Sequence, residues 1–108
     1  MNWQIRYTEK AKKDLKKLNN SVKAEIIKKI SRVAKNPLPQ NEGGYGKPLG
    51  NNSKTKLAGF LKIKFLKSGI RVVYKLIKTE ETMKIIVISV RDDDFCYQEA
   101  QEREKEEI

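Results

Sequence analysis

The sequence predicts one α+β domain in which a helical hairpin packs on one face of a mainly antiparallel four-stranded sheet. Its 108 residues are enough for one modest hydrophobic core and leave no room for a second. Apolar residues alternate with polar ones in short runs, as in strands, and recur every three or four residues in others, as in helices. These runs follow the order β-α-α-β-β-β-α over a single domain, residues 1–108, which is typical of the α+β class.

The N-terminal third of the chain predicts a strand followed by the helical hairpin. Apolar and polar residues alternate over residues 3–7, which is typical of a short strand. Thr8 and Ser21 are suited to cap the two helices that follow, and Asn36-Pro37 ends the second. Each helix carries one apolar stripe, formed by Ala11, Leu15 and Leu18 in the first and by Val22, Ile26, Ile30 and Val33 in the second.

The remaining elements are a long loop, three strands and a last helix. Residues 37–55 are rich in Pro, Gly, Asn and Lys, and a loop of this length in so small a domain is more often functional or mobile than passive. Three strands are predicted around residues 61–65, 70–76 and 83–90, and the third is apolar at nearly every residue, which favours a central position covered on both faces. Asp94 is suited to cap an acidic C-terminal helix at about residues 94–107.

The charge is distributed unevenly along the chain. Residues 1–91 hold 22 Lys or Arg against 6 Asp or Glu, whereas residues 92–108 hold 2 against 8. So basic a body attracts phosphate backbones through charge neutralisation and counterion release. The acidic tail should be drawn to this body, with its first turns docked and its last turn frayed.

The lack of histidine and the single cysteine limit the catalytic and metal sites that the chain can form. The chain has no histidine, which excludes His-based metal sites and the Ser-His-Asp and Cys-His catalytic arrangements. Cys96 has no second cysteine for a disulfide, and we expect it to be a buried small apolar residue. Asp92–Asp94 follow one another too closely to face one ion, so neither a metal nor another cofactor is expected. With no apolar run long enough to span a membrane and no signal peptide at the N-terminus, the cytoplasm is the predicted location.

Strand alternation predicts a cluster of cations on the sheet face opposite the helical hairpin. If the apolar strand residues face the helices, then Lys62, Lys64, Arg71 and Arg91 share one solvent-facing surface. Like charges repel unless an anion neutralises them, so the cluster favours a phosphate site. Tyr97, near the start of the last helix, is placed at its rim. The strand residues expected to be buried are Leu61, Ile63, Val72, Tyr74, Ile86 and Ile88.

Taken together, these stretches resemble the RelE/ParE toxin superfamily. The resemblance covers essentially the whole chain, and Gly69-Ile70-Arg71-Val72-Val73-Tyr74 is its most specific segment. The other segments that carry it are Lys47-Pro48-Leu49, Leu57–Lys64, Val87–Arg91 with Tyr97, Thr8–Ala11 and Asp14–Leu18. It implies a RelE-like fold, and the element order read from the residues agrees with that fold.

The superfamily has an mRNA-cleaving RelE branch and a gyrase-poisoning ParE branch, and resemblance to the first implies a catalytic set. Lys62, Lys64, Arg71, Arg91 and Tyr97 stand where RelE-like members carry catalytic residues. The implied reaction is metal-independent: in the ribosomal decoding site, the 2′-hydroxyl of the message attacks the adjacent phosphate. Lys64 or Tyr97 is the base, Lys62 and Arg71 stabilise the phosphorane, and Arg91 assists the leaving 5′-oxygen. Asp92–Asp94 depart from the family, which typically has a more basic stretch there.

The resemblance also implies partners. A cognate antitoxin would neutralise the toxin, the complex would bind operator DNA through the antitoxin, and the toxin would contact messenger RNA and the ribosome. Two other functions stay open at this point: a gyrase inhibitor without catalysis and a non-catalytic nucleic-acid-binding module. The lysines assigned to RNA or ribosome contact are Lys47, Lys54, Lys56, Lys67 and Lys75.

Overall fold

The computed structural model of the protein describes residues 3–48 and 59–106, which form an α+β domain with a mixed sheet. Two turns of 3₁₀-helix, Gln40–Glu42 and Lys78–Glu80, lie in connections between the regular elements. The regular elements are β1 (Gln4–Tyr7), α1 (Glu9–Lys16), α2 (Asn20–Val33), β2 (Lys47–Pro48), β3 (Phe60–Lys64), β4 (Arg71–Ile77), β5 (Thr82–Ser89) and α3 (Asp93–Glu106).

The strands are arranged in the order β1-β5-β4-β3-β2. β1 runs parallel to β5, and the other neighbours are antiparallel, so the predicted fold class and element order are confirmed. The described sheet has five strands rather than the four expected. The extra strand, Lys47–Pro48, lies in the predicted loop and is too short for alternation to show it in the sequence.

The helical hairpin begins where short polar side chains cap the backbone. Thr8 accepts a hydrogen bond from the Ala11 amide at 3.1 Å, as predicted. The second helix is capped by Asn19, whose side chain accepts from the Val22 amide at 3.0 Å, so the expectation for Ser21 is wrong. The residue that caps is the one with an extended backbone, and this is Asn19, while the Ser21 hydroxyl donates to the Asn19 side chain.

Two apolar clusters lie on opposite faces of the sheet and share β5. One contains the buried residues of the hairpin, such as Ile26 and Ile30, together with Val72, Tyr74 and Ile85. The second lies under α3 and is formed by Phe60, Val73, Ile86, Val87, Cys96 and Ala100. β5 is therefore central and covered on both faces, as its apolar run predicted.

An irregularity in β5 changes which of its residues face the hairpin. Val73 pairs with Val87 but Tyr74 pairs with Ile85, so Ile86 is an extra residue on β5. Strict alternation placed Ile86 on the same face as Ile88. Both are buried as predicted, but Ile86 packs under α3 while Ile88 faces the hairpin, so this part of the expected register is wrong.

α3 begins at Asp93, and Asp92 caps it. The Asp92 side chain accepts from the Phe95 amide at 2.8 Å, so the expectation that Asp94 caps the helix is wrong by two residues. No helix within residues 3–48 and 59–106 has both the length and the apolar character needed to cross a membrane.

Side-chain contacts hold the C-terminal part of α3 on the domain. The pairing of β1 with β5 ends at Ile85. Beyond that residue, side chains rather than a strand contact the edge of β5. The Ile88 amide donates to Asp14 of α1 at 3.0 Å, and Arg103 of α3 donates to the Ile86 carbonyl at 2.6 Å. Arg103 also pairs with Asp14 at 2.8 Å and Glu99 at 2.7 Å, so the prediction of weak docking near the C-terminus is wrong for this turn.

Replacing Arg103 by Ala should destabilise the domain. The change leaves Asp14 and the Ile86 carbonyl without their cationic partner in a site where the Arg103 side chain is only 11% exposed. We expect the free energy of unfolding in urea to fall by about 3 kcal/mol, the lower end of the range for buried ion pairs that lose one member. Lys105→Ala is the matched control, since the Lys105–Glu102 pair is well exposed and should contribute little. Equal stability of the Arg103→Ala variant and the wild type would show that Arg103 does not hold α3 in place.

Candidate anion-binding site

Two of the predicted site residues meet on one carboxylate beneath the start of α3. The Lys62 Nζ lies 2.6 Å from one oxygen of Asp93, and the Arg71 Nε lies 2.5 Å from the other. β3 and β4 pair antiparallel, which places Lys62 and Arg71 on neighbouring strands, and the helix brings Asp93 down onto both. The side chains are 15%, 17% and 23% exposed, in the order Lys62, Arg71, Asp93, so the contact is largely screened from water.

This contact changes the ionisation of Asp93. Burial on its own raises the pKa of the Asp93 carboxyl, but the adjacent charges of Lys62 and Arg71 outweigh burial and hold that pKa below its usual value. Asp93 is therefore an anion at neutral pH. The two cations that were predicted to receive a phosphate already bind a carboxylate of this same chain.

The other two predicted cations are arranged differently. Arg91 is exposed, its guanidinium lies 4.3 Å from the centre of the Phe95 ring, and its carbonyl accepts a hydrogen bond from Arg71 at 2.8 Å. Lys64 is exposed and pairs in register with Arg71 across β3 and β4. Lys64 and Arg91 are thus exposed to solvent as expected, whereas the expectation is wrong for Lys62 and Arg71, because α3 covers that part of the sheet.

Tyr97 faces the sheet from α3. It follows Asp93 by four residues, which places the two side chains on the same side of the helix. Its ring packs edge-to-face on Phe60 at a centroid distance of 5.9 Å, and the residue is half-buried. Tyr97 therefore lies on the covered face with Lys62 and Arg71, and Phe60 precedes Lys62 by two residues on β3.

The neighbouring residues have structural roles. The Cys96 side chain is fully buried, as predicted, and burial raises the pKa of its thiol to about 11, so it stays protonated. Asp92 and Asp93 point to different partners, a helix cap and the two cations. Within the described ranges, no group of His, Cys, Asp or Glu side chains is arranged to hold a metal ion.

The lysines assigned to RNA contact fall into three groups. Lys47 and Lys67 are exposed. Lys75 lies on the α3 side, 3.5 Å from Glu104 and 5.7 Å from the centre of the Phe60 ring, and is thus partly engaged within the domain. Lys54 and Lys56 lie outside the described residues.

Sequence reasoning missed Asp93 as part of the site. The signal was available: three consecutive carboxylates follow directly after the strand that leads to Arg91, in a chain whose preceding 91 residues are strongly basic. Strand alternation assigns faces within a sheet, but it does not say which residue of a following helix packs down onto that face. The resulting group is a fixed pair of donors with an internal anion, which is the arrangement of an anion receptor.

Comparisons with known proteins identify related toxins. A family model described as ParE toxin of type II toxin-antitoxin system, parDE, matches residues 5–95. The chain is 26% identical over 106 residues to a RelE-like toxin protein of Escherichia coli, covering 95% of this chain and 98% of the other.

Solved structures show the same fold. A mutant of the E. coli toxin RelE in the free state superposes with a TM-score of 0.74 at 24% identity, covering 95% of this chain and 98% of that one. The RelBE2 toxin–antitoxin complex of Mycobacterium tuberculosis matches with a TM-score of 0.65 at 24% identity, over 84% of this chain and 93% of that one.

Replacing Asp93 by Asn should strengthen binding of a short fluorescent single-stranded oligonucleotide. The change frees Lys62 and Arg71 for an external phosphate, and we expect affinity in low salt to rise by about tenfold, judged from the salt-dependent weight of phosphate contacts. Asp94→Asn removes the same charge from the adjacent exposed side chain and serves as the control. If both variants gain affinity equally, the effect is one of net charge and Asp93 does not occupy the site.

The same contact should make stability depend on pH. The pKa of Asp93 is lowered on folding, so its contribution is fully present above the unfolded value of 3.8 and is lost as pH falls through the lower folded value. The difference in unfolding free energy between wild type and the Asp93→Asn variant should therefore be largest near neutral pH and shrink in acid. Urea titrations in successively more acidic buffers measure it, and a difference independent of pH would contradict the ion pair.

Proposed function

Because this chain belongs to the RelE/ParE superfamily of type II toxins, we propose that it is a ribosome-dependent endoribonuclease that cleaves messenger RNA. The observation that carries the proposal is the contact of Lys62 and Arg71 with one carboxylate. The carboxylate stands in for a phosphate: both are small anions with paired oxygens, and a guanidinium and an ammonium bind either one. Its action is placed in the cytoplasm, where ribosomes and messages are found.

The reaction is a transesterification within the RNA. The substrate 2′-oxygen attacks the adjacent phosphorus while the bond to the 5′-oxygen of the next nucleotide breaks, which leaves a 2′,3′-cyclic phosphate and a free 5′-hydroxyl. Lys64 or Tyr97 takes the proton of the 2′-hydroxyl, and Arg91 stabilises or protonates the leaving 5′-oxygen. Lys62 and Arg71 neutralise the charge that develops on the phosphorane oxygens.

Substrate entry requires Asp93 to leave its cations. The Asp93 carboxylate lies within 2.6 Å of both cations, so a scissile phosphate placed there would be repelled by its negative charge. Asp93 is at the first position of α3, so a shift of the first helical turn is enough to release it. The ribosome would supply the remaining positioning of the message.

The proposed partners follow the solved relatives. The RelBE2 proteins of M. tuberculosis and the RelBE proteins of E. coli form toxin–antitoxin complexes, so a cognate antitoxin protein is proposed for this chain. Binding of the toxin–antitoxin complex to operator DNA would pass through the antitoxin. Lys47 and Lys67, both exposed, are proposed to contact RNA or the ribosome, together with Lys54, Lys56 and Lys75.

One observation favours a second function, inhibition of DNA gyrase without catalysis. The family model that matches is described as ParE, and the internal carboxylate neutralises the two central cations. A toxin that binds no phosphate at this site would keep the ion pairs of Asp93 with Lys62 and Arg71 at all times. The two functions differ in whether Lys62 and Arg71 bind a phosphate of the substrate.

Arg71→Ala should abolish message cleavage. An arginine that stabilises a developing phosphorane typically contributes about a hundredfold or more to the rate, and Arg71 also holds the Arg91 carbonyl. The measurement is primer extension on a message in an in vitro translation reaction. Wild-type protein that inhibits gyrase supercoiling and leaves the message intact would exclude the nuclease proposal.

Arg71 is largely buried, so its loss needs a folding control. Arg71→Ala alone leaves the Asp93 carboxylate facing one cation instead of two, and the double variant Asp93→Asn/Arg71→Ala removes that residual charge. Both should keep a cooperative urea transition. A well-folded double variant that still cleaves would show that Arg71 is not in the catalytic set.

A further inference from the structure

A basic groove lies between α2 and the β2–β3 edge of the sheet. It encloses about 260 Å³, and its floor includes the apolar side chains of Val33 and Ile63. None of the described residues that line it is acidic. The other residues that line it are Lys29, Arg32, Tyr45, Lys47, Lys62 and Lys64.

Lys62 and Lys64 connect this groove to the candidate anion-binding site. Both line the groove, and Lys62 also contacts Asp93. Ile63, which lies between them, packs in the hairpin cluster, so the side chains of Lys62 and Lys64 point to the α3 face of the sheet. The groove and the anion-binding site thus lie on opposite faces of β3 and share its residues, and an RNA strand that crosses this sheet edge would reach both.

Tyr45 presents its ring from a backbone that is held in place. The side chain is 59% exposed, although its amide donates to the Asn36 carbonyl at 2.9 Å and the next amide, of Gly46, donates to Leu38 at 2.9 Å. The loop is also fixed from below, because the buried Tyr74 hydroxyl donates to the Pro37 carbonyl at 2.9 Å. A Cβ at Gly46 would lie 2.3 Å from that hydroxyl, so the loop packs closely on the sheet.

Lys29 is likewise oriented toward β3. Its Nζ donates to the Lys64 carbonyl at 3.2 Å and lies 4.9 Å from the centre of the Phe65 ring. The groove thus combines a positioned cation, an exposed aromatic ring and an apolar floor. This is the combination that single-stranded nucleic-acid sites use, with cations along the backbone and a ring under a base.

We propose that this groove binds a nucleotide of single-stranded RNA next to the scissile phosphate, with its base stacked on Tyr45 and its phosphate held by Arg32 and Lys47. The inference rests on the proposed nuclease function and adds a substrate subsite to it. An acidic protein segment would also satisfy the cations. RNA accounts in addition for the exposed ring and for the continuity with Lys62 and Lys64.

The test is binding of a short RNA that is 2′-O-methylated throughout, so that no 2′-hydroxyl is available for attack and binding is measured apart from cleavage. Tyr45→Ala should weaken binding by about tenfold, in the range that loss of one base–aromatic stack produces, while Tyr45→Phe should stay within about twofold of wild type. Arg32→Ala should also weaken binding. Lys13→Ala removes one charge from an exposed position on α1, away from the groove, and should have a smaller effect than Arg32→Ala.

An abasic oligonucleotide of the same length separates stacking from charge. If Tyr45 stacks on a base, Tyr45→Ala should leave the affinity for the abasic strand unchanged. The proposal would be overturned if Tyr45→Ala weakened the affinity for both strands equally. It would also be overturned if RNA binding did not depend on Tyr45 while binding of an acidic antitoxin peptide did. Primer extension on a translated message tests the nuclease function separately. Tyr45-dependent binding without cleavage would support the RNA-binding groove and exclude the nuclease. Cleavage without Tyr45-dependent binding would support the nuclease and exclude the groove.

Discussion

The ion pairs of Asp93 with Lys62 and Arg71 hold the first turn of α3 on the sheet, and the arrangement of the candidate site depends on them. α3 has little apolar surface, and its buried residues are Cys96 and Ala100, with Phe95 and Tyr97 partly buried. A helix of this composition gains little from hydrophobic burial alone. Charged contacts secure it instead, at Asp93 near its start and at Arg103 and Glu104 near its end. While these contacts persist, the first turn of α3 covers the anion-binding site, so access to Lys62 and Arg71 depends on the position of that turn.

The extra residue in β5 explains how one strand serves two faces. Regular alternation would give each face every second residue, but Ile86 and Val87 both pack under α3 while Ile85 and Ile88 face the hairpin. The second apolar cluster thereby gains a side chain where α3 is poorest in apolar residues. The same irregularity lies opposite the Val73–Tyr74 step of β4. A local departure from strand geometry thus supports the cover over the candidate site.

Sequence periodicity was sufficient for the fold because each apolar run corresponds to one element. Ala11, Ile26 and Ile30 proved to be core residues, and the β5 run proved to be central. Alternation failed at Ile86, because a bulge adds a residue without leaving a mark in composition. It also could not place Asp93 or pair Arg103 with Asp14, since those contacts join residues far apart in sequence through the packing of a helix. Propensity selects several possible caps, and backbone geometry alone decides between Asn19 and Ser21.

The internal carboxylate follows from a general constraint on strongly basic proteins. Two cations held side by side in a poorly hydrated position repel each other, and an anion between them lowers that electrostatic cost. In this structure Asp93 supplies that anion. Asp93 is at the start of α3, so in the proposed reaction its release would involve the first helical turn and not the sheet. In the proposed function, RNA would bind first in the groove lined by Tyr45, Arg32 and Lys47, and its neighbouring phosphate would then compete with Asp93 at high local concentration.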